Sequence, residues 1–351
     1  MVILGGSLHH PGGLEAFCER AAIAVDRHAA GWQAWWWPTN TAYFSWRRLG
    51  DVGRVWRELS RLQGVDLVWL QWSTSLDLLF LLLAKARGLP VMITPHLGAA
   101  SRLQRVPAVR RLCVRLLGCG DRIGLLFDDQ DDEIALPRTI PRSTVGTFLP
   151  EDTFNAPADP KRGGPLRLIH AGRLSIEKGT FRMVALCALL RERGVPFDAR
   201  IVGRSDPETM AALGAAIADA GLGDALTLTG WMDEAALRGA LTEADLLVHL
   251  SELDSFPLIV LEALAAGALP IVAPMAGAAE MVRRHDGFVA RGSSVTAVAD
   301  WIAGQEPAAL RRRGAAAAMQ VREDRRWEKV VAAVQSAAEA TLAGIARDRA
   351  N

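Results

Sequence analysis

Short apolar runs alternate with longer amphipathic segments throughout the C-terminal half of the chain. Each run has the length and composition of a buried strand, and each intervening segment has the length of a helix. This alternation is typical of a parallel, doubly wound α/β sheet. The predicted strands are 166–171, 199–202, 226–229, 246–250 and 270–272.

The N-terminal half repeats this pattern, with Ala- and Leu-rich helical segments between its apolar runs. A chain of 351 residues, half of them hydrophobic, is too long for one ordinary core and suits two domains. We therefore expect two Rossmann-like domains that face a cleft. The predicted strands of the first are 2–4, 32–37, 67–71, 91–94 and 123–127.

Domain boundaries follow from composition. Residues 1–150 form the predicted first domain, and the Pro-, Asp-, Lys- and Gly-rich stretch 151–165 has no apolar period and is predicted to be a linker. Residues 166–323 form the second domain. The remaining 324–351 are predicted to form a C-terminal helix that could cross back to the first domain, with Trp327 as an aromatic anchor.

Charge and cysteine content exclude several classes of protein. Forty Lys and Arg against 39 Asp and Glu leave a net charge of +1, so nothing favours nucleic acid as a partner. Four cysteines without a Cys-x-x-Cys pair indicate neither a disulfide framework nor a zinc site. No signal segment opens the chain, and its longest apolar stretch, 76–84, is too short to span a bilayer. A cytoplasmic protein is expected.

The segment after the strand 166–171 carries candidate chemistry. It contains Arg173, Lys178 and two glycines and connects a strand to the next helix. Backbone N–H groups and the helix dipole favour an anion at such a position, and both cations can form charge-assisted hydrogen bonds with a diphosphate. A solvated turn with surface Arg and Lys is the alternative.

A second segment of the same kind precedes the helix 258–266. Asp254 and Glu262 lie eight residues apart, a little over two helical turns, so both could contact one elongated ligand. Glu262 could instead be an ordinary exposed helix residue. An acid within an apolar run is, however, rarely buried without a partner.

These blocks, in this order, resemble the retaining GT-B glycosyltransferases of glycosyltransferase family 4, the glycosyl transferases group 1. The resemblance covers nearly the whole chain and is most specific in the second half. Its blocks are Gly172-Arg173-Leu174 with Lys178-Gly179, Ile201-Val202-Gly203, Thr229-Gly230, and Ser255-Phe256-Pro257 with Leu261-Glu262-Ala263.

The resemblance implies roles for the matched residues. Arg173 and Lys178 would hold the diphosphate of a nucleotide-sugar donor such as a UDP- or GDP-sugar, and Glu262 would bind its ribose. Asp254 stands where the family has the first Glu of Glu-x7-Glu and would contact the transferred sugar. Further donor-binding positions implied are Gly203, Thr229 and Gly230 near the base, and Ser255, Phe256, Pro257 and Leu258 at the helix start.

The first domain carries weaker matches. Gly12 and Gly13 match a Gly-Gly pair that lies beside the sugar and phosphates in the family, and paired glycines allow close approach of a ligand. Their spacing differs from the Gly-x-Gly-x-x-Gly dinucleotide fingerprint. His96 follows a predicted strand and resembles the family's cleft histidine, although a loop histidine without a role is the alternative. His9 and His10 could face the same cleft.

The acidic run 128–133 contains an Asp-x-Asp pattern that holds a metal in another glycosyltransferase fold. It follows a predicted strand and opens a helix, where acids complement the dipole. We therefore interpret it as a helix start and expect neither a metal nor another cofactor.

A local basic segment lies between residues 99 and 120, which contain no acid. Pro107 is predicted to begin a helix with an apolar stripe that either packs on the domain's own core or docks on anionic lipid. Family members with lipid-linked acceptors have a basic amphipathic segment here, which favours the membrane surface. The predicted patch consists of Arg102, Arg105, Arg110, Arg111 and Arg115.

Together these features predict a metal-independent glycosyltransferase that transfers a sugar to a hydroxyl of a glycan or lipid-linked acceptor in exopolysaccharide or envelope-glycan synthesis. His96, Asp254, Arg173 and Lys178 are its predicted catalytic residues. Two alternatives remain: a nucleotide-sugar epimerase of the same fold, and an inactive nucleotide-sugar-binding protein. The first would turn over without an acceptor, and the second would bind the donor without transfer.

Overall fold

The computed structural model describes residues 1–9, 12–41, 49–155, 163–254 and 256–350. The chain divides into two compact units. The first unit contains Met1–Leu149 and the chain from Arg325 onward, and the second unit contains Pro150–Asp324. The predicted linker 151–165 begins with a short 3-10 helix, Glu151–Asn155, whose Asp152 forms an ion pair with Arg238 of the second unit.

The first unit contains a six-stranded sheet in the order β2-β1-β3-β4-β5-β6, and every described pairing is parallel. Its strands are β1 (Val2–Leu4), β2 (Trp35–Trp37), β3 (Val68–Trp72), β4 (Val91–Pro95), β5 (Arg122–Leu125) and β6 (Arg142–Thr144). Its helices are α1 (Gly13–His28), α2 (Leu49–Arg61), α3 (Asp77–Ala86), α4 (Arg102–Arg105), α5 (Pro107–Leu117) and α6 (Gln130–Glu133).

The second unit contains another six-stranded parallel sheet, in the order β12-β11-β10-β7-β8-β9. Its strands are β7 (Leu166–Ala171), β8 (Phe197–Val202), β9 (Leu226–Gly230), β10 (Leu246–His249), β11 (Leu269–Val272) and β12 (Phe288–Val289). Its helices are α7 (Thr180–Glu192), α8 (Pro207–Asp219), α9 (Glu234–Glu243), α10 (Leu258–Ala266), α11 (Ala276–Arg284), α12 (Val295–Ala303) and α13 (Pro307–Asp324).

Local sequence explains where several helices begin. The side chains of Asp206, Asp233 and Ser294 each accept a hydrogen bond from the amide three residues later, which is the usual capping arrangement. The central strands read as nearly continuous apolar runs because helices cover both faces of a parallel sheet. Trp69 and Trp72 of β3 are fully buried in the first core.

The final helix, α14 (Trp327–Ala350), packs with the first unit against α1, β5 and β6. Trp327 is 5% exposed, and its indole Nε1 donates to the carbonyl oxygen of Leu149 at 2.8 Å. Near the middle of the helix, the hydroxyl of Thr341 accepts from Nε of Arg122 at 3.1 Å. These contacts attach the end of the chain to the sheet of the first unit.

The predicted α/β fold of two doubly wound sheets is confirmed. The sequence pattern did not predict two edge strands, β6 and β12. The three residues of β6 are polar, and β12 has only two residues. The predicted strand 32–37 is shorter than expected, since only Trp35–Trp37 pair with β1. Among the described residues, no helix is long and apolar enough to cross a membrane.

Candidate functional site

The loop between β7 and α7 is held in shape by its own backbone contacts. Leu174 is fully buried, and its amide donates to the carbonyl oxygen of Arg204 at 3.1 Å. Gly179 has a φ of 80°, and a Cβ there would lie 2.5 Å from the carbonyl oxygen of Leu250. A side chain at position 179 would therefore push this loop away from the end of β10. Arg173 lies on the exposed part of the loop.

Lys178 at the end of this loop forms an ion pair with Asp254, in the loop between β10 and α10. The two side chains are 18% and 20% exposed. The second carboxylate oxygen of Asp254, Oδ2, lies 2.9 Å from Nε2 of His249. The two segments that the sequence singled out thus meet at the carboxyl ends of β7 and β10, which the sheet pairs directly, although Lys178 and Asp254 are 76 residues apart in the chain.

The carboxyl group of Asp254 is ionised. Burial by itself would raise its pKa, but the hydrogen bond from His249 and the positive charge of Lys178 outweigh burial and hold the pKa well below its ordinary value. The site therefore carries a fixed negative charge beside the amine of Lys178. This arrangement presents one carboxylate and one ammonium group at the same edge of the sheet.

A second buried histidine, His170 near the end of β7, fixes the first loop. Its Nδ1 lies 2.9 Å from the carbonyl oxygen of Val248, and its Nε2 lies 3.1 Å from the hydroxyl of Thr180. Burial, with a smaller contribution from His249, lowers the pKa of His170 to about 4, so the ring is neutral. Since a carbonyl only accepts, Nδ1 donates and Nε2 accepts from Thr180. The same hydroxyl accepts from the amide of Ser175 at 3.1 Å.

The predicted helix start is α10, for which Pro257 is the N-terminal cap residue. Pro257 is buried, whereas Phe256, Leu258 and Glu262 are partly exposed. Ser255 lies outside the described residues. Glu262 is partly exposed, whereas its neighbours Leu261 and Ala263 are buried. Its side chain therefore lies on a different face of the helix from the apolar one.

The segments after β8 and β9 adjoin the first loop through backbone contacts. At Gly203, which has a φ of 147°, a Cβ would lie 1.8 Å from the carbonyl oxygen of Gly172. The amide of Gly203 donates to the carbonyl oxygen of Gly230 at 2.8 Å, and the hydroxyl of Thr229 donates to that of Ile201 at 3.1 Å. These predicted donor-binding positions thus also have packing roles that explain their residue types.

In the first unit, Gly12 is the N-terminal cap residue of α1 and Gly13 is its first residue, and both are exposed. Glu15, in the first turn, accepts from the amide of Ser7 at 2.9 Å. Burial raises the pKa of Glu15 against the effect of its backbone hydrogen bonds. His9 lies 3.2 Å from the carboxylate of Asp51, and His10 is outside the described residues.

His96 follows β4, and its imidazole has a defined orientation. Its Nε2 lies 2.8 Å from Oε1 of Gln71, whose amide nitrogen faces the carbonyl oxygen of Trp69 at 3.4 Å. The ring of Phe17 packs edge-on against it with centroids 4.8 Å apart. Burial lowers the pKa of His96 to about 3, so the ring is neutral. With Nε2–H donating to Gln71, Nδ1 is left as a hydrogen-bond acceptor.

Residues 152–305 match the family model for glycosyl transferases group 1. This segment belongs to that family. The matched range contains both loops that meet at the Lys178–Asp254 pair. No curated protein sequence matches the chain.

Solved structures resemble the chain over nearly its whole length, at low identity. They include sucrose-phosphate synthase from Thermosynechococcus elongatus, with a TM-score of 0.75, 19% identity and coverage of 95% of this chain and 97% of that one. HepE from Anabaena in complex with UDP-glucose has a TM-score of 0.74 at 16% identity, covering 97% and 98%. Trehalose 6-phosphate synthase from Burkholderia multivorans has a TM-score of 0.71 at 12% identity, covering 99% of each. The fold of this chain is therefore GT-B.

The basic segment forms α4 and α5. Of the predicted stripe in α5, Cys113 and Leu117 are buried and Val109 and Leu116 pack against the core of the first unit. Leu112 is 57% exposed. Most of the stripe thus packs internally, one of the two alternatives the sequence left open. The arginines, all exposed, are Arg102, Arg105, Arg110, Arg111 and Arg115.

The acidic run 128–133 contributes to a four-residue helix and to side-chain contacts. Asp128 accepts from the hydroxyl of Thr144 at 2.7 Å, and Asp131 pairs with Arg142. In the part of the chain that the structure describes, no group of three or more His, Cys, Asp or Glu side chains could hold a metal ion.

Three buried polar residues that lie near predicted site residues were not predicted from the sequence. They are His170 and His249 in the second unit and Gln71, beside His96, in the first. Each is the last or the second-last residue of a strand. This position is a usable signal, because ligand-binding groups lie at the carboxyl ends of the strands in parallel sheets. Asp77, a fourth buried polar residue, interrupts the apolar stretch 76–84. It is fully buried and accepts from the amides of Ser73 and Thr74 at 2.9 and 2.7 Å.

Proposed function

We propose that this protein transfers a sugar from a nucleoside-diphosphate sugar to a hydroxyl group of a glycan or lipid-linked acceptor, with retention of configuration. The observation that carries the proposal is the Lys178–Asp254 pair, which joins two loops at the carboxyl ends of β7 and β10 within the matched glycosyl transferases group 1 segment. Ligands of open α/β sheets bind at this edge. HepE, a protein of similar fold, was solved with UDP-glucose.

In this proposal the loop 172–179 holds the diphosphate. Lys178 and Arg173 donate charge-assisted hydrogen bonds to its oxygens, and the start of α10 adds the positive end of a helix dipole. Glu262, partly exposed on α10, accepts from the ribose hydroxyls. Asp254 accepts from a hydroxyl of the transferred sugar.

The proposed reaction forms a bond between the acceptor oxygen and the anomeric carbon as the bond from that carbon to the diphosphate oxygen breaks. Negative charge then grows on the leaving diphosphate, which takes up the proton of the acceptor hydroxyl. Fixed positive groups stabilise the transition state more than the ground state when charge develops beside them. Lys178 and Arg173 supply this stabilisation.

The experiment is a thermal-shift panel of UDP-glucose, GDP-mannose and ADP-glucose, followed by an assay for release of the nucleoside diphosphate. A donor at about one hundred times its Kd adds roughly 2.7 kcal/mol of stability, so the matching nucleotide sugar raises the Tm. Lys178→Gln abolishes the shift. Arg191→Gln, which removes a surface ion pair at the far end of α7, retains it. If no nucleotide sugar raises the Tm of the wild type, the proposal is wrong.

The proposed function also includes binding to a membrane surface through α4 and α5. The exposed arginines of α4 and α5 and the exposed Leu112 suit an anionic lipid surface, where each basic residue contributes about 1 kcal/mol. The protein would then act in the cytoplasm on envelope glycans. Cosedimentation with phosphatidylglycerol vesicles tests this: replacing the five arginines with Gln abolishes binding. Five Gln substitutions at exposed arginines of the second unit are the control, at Arg191, Arg283, Arg284, Arg291 and Arg312.

A further inference from the structure

His249, the last residue of β10, is attached to the proposed sugar-binding carboxylate. It is 3% exposed, and its Nε2 lies 2.9 Å from Oδ2 of Asp254. The other oxygen, Oδ1, pairs with Lys178. Since an ionised carboxylate only accepts hydrogen bonds, His249 is the donor. Each oxygen of Asp254 therefore has its own partner, one from the strand end and one from the first loop.

The orientation of the His249 ring is set by its surroundings. It stacks on the ring of His170, with centroids 6.4 Å apart and an angle of 18° between the planes. His170 is itself held by Val248 and Thr180. The stacked arrangement directs Nε2 of His249 at Asp254, so the position of the carboxylate is determined by the sheet and not by the loop alone.

The cost of placing histidine here indicates that its contact with Asp254 matters. Nδ1 of His249 is buried and has no hydrogen-bond partner among the described residues. A buried polar atom without a partner is destabilising, and an aliphatic residue would avoid that penalty at a strand end. The hydrogen bond to Asp254 is what the histidine adds.

The same contact explains the length of the side chain at position 254. A glutamate would extend the carboxylate by one further methylene, about 1.5 Å. It could not then keep the same distances to both His249 and Lys178 without moving the loop. Aspartate is the acid whose length fits a carboxylate held from two sides at this place.

We propose that His249 is a positioning residue. It holds the carboxylate of Asp254 where it pairs with Lys178 and, in the donor complex, accepts a hydrogen bond from a hydroxyl of the transferred sugar. His249 itself touches neither donor nor acceptor. The inference rests on the proposed function for its sugar-binding part. Its structural part, the dependence of Asp254 and Lys178 on His249, does not require a ligand.

Two substitutions at His249 separate positioning from packing. The amide nitrogen of Gln can take the place of Nε2, whereas that of Asn takes the place of Nδ1 and falls short of Asp254. His249→Asn weakens UDP-glucose binding and slows transfer by about tenfold, the effect of losing one hydrogen bond to a charged group. His249→Gln restores both to within about threefold of wild type, as a hydrogen bond of similar geometry would. Equal losses in both variants would overturn the inference.

His285→Gln is the matched control, because His285 is also buried in the second unit but follows α11, just before β12 begins. His285 thus lies at the amino ends of the strands and His249 at the carboxyl ends, so His285→Gln leaves donor binding unchanged. Asp254→Glu is expected to lower transfer by about tenfold, the equivalent of one charged hydrogen bond, because the longer side chain loses one of its two partners. Full activity in Asp254→Glu would contradict the argument from length.

A double-mutant cycle of urea unfolding, with His249→Asn and Asp254→Asn, tests the contact without any ligand. A contact between the two side chains makes their effects on the unfolding midpoint non-additive, while additive effects would refute it. Wild type that binds no nucleotide sugar would overturn the proposed function and the sugar-binding part of this inference. The unfolding cycle would still decide whether His249 holds Asp254.

Discussion

The hydroxyl oxygen of Thr180 lies 3.1 Å from Nε2 of His170 and 3.1 Å from the amide nitrogen of Ser175. Because His170 donates from Nδ1 to Val248, the hydroxyl must donate to His170 and accept from Ser175. A directed series of hydrogen bonds therefore runs from the core of the second sheet to the loop that carries Arg173 and Lys178. The loop's conformation is tied to a buried strand.

Thr180→Val tests this connection. The substitution keeps the shape but removes the hydroxyl, which leaves His170 Nε2 and the Ser175 amide without their partner. We expect a loss of about 1–3 kcal/mol in the free energy of unfolding by urea, and weaker donor binding because the loop is less constrained. Thr180→Ser, which keeps the hydroxyl, is the control. Equal stability of the Val and Ser variants would contradict the prediction.

The stability of the protein should fall in mildly acidic solution, partly because of His170. Its pKa in the folded protein, about 4, is below the ordinary value of 6.5, so the unfolded chain binds more protons between these values. Folding then becomes less favourable as pH falls from 6.5 toward 4. From pH 7 to pH 5 this one histidine accounts for a loss of roughly 2 kcal/mol.

His170→Gln removes this titration, so the loss of unfolding free energy between pH 7 and pH 5 is smaller in the variant than in wild type. The comparison is needed because other groups also titrate. His96 acts in the same direction as His170, whereas Glu15 and Asp77, whose pKa values burial raises, act in the opposite one. An unchanged difference between the two pH values would count against a neutral His170.

Asp254→Asn should separate binding of the leaving group from transfer. The substitution removes the negative charge that pairs with Lys178, so the amine is free to bind phosphate oxygens. We expect UDP to bind more tightly, by a few-fold, while transfer slows by at least about tenfold because the sugar hydroxyl exchanges a charged acceptor for the weaker, neutral amide oxygen. Isothermal titration and an initial-rate assay measure the two effects. Parallel losses in both would contradict this assignment.

His96→Gln tests the role of a single ring nitrogen. The amide of Gln can still donate to Gln71 but offers no acceptor at the place of Nδ1. If Nδ1 accepts from a sugar hydroxyl, transfer falls by about tenfold, while the affinity for UDP is unchanged. Unaltered transfer would show that His96 is a loop histidine without a catalytic role.

Chelation of metals should leave the activity intact. The proposed stabilisation of the leaving diphosphate comes from Arg173, Lys178 and the start of α10, and not from a divalent cation. Assays in EDTA and in added Mg²⁺ or Mn²⁺ should give initial rates within about twofold of each other, a difference of under 0.5 kcal/mol in the barrier. A rate that disappears in EDTA and returns with one cation would refute this prediction.

Much of the fold follows from the sequence because local patterns determine it. Mostly apolar runs such as Leu166–Ala171 are buried strands of a parallel sheet, and the spacing between runs predicts the helices. The sequence also marks the glycines and cations of the loop 172–179 as a candidate anion site, since a helix N-terminus after a strand favours an anion. The weak edge strands β6 and β12 could not, because a two- or three-residue strand acquires its conformation from its neighbour.

Only the tertiary structure decided which polar groups meet. The pairing of β7 with β10 brings His170 beside His249 and joins Lys178 to Asp254, although Lys178 and Asp254 are 76 residues apart in the chain. It likewise showed that most of the apolar stripe of α5 faces the core. Helical periodicity predicts that such a stripe exists, but it does not say what the stripe packs against. Hydrogen bonds and ion pairs act over a few ångströms in space, and distance along the chain does not report that separation.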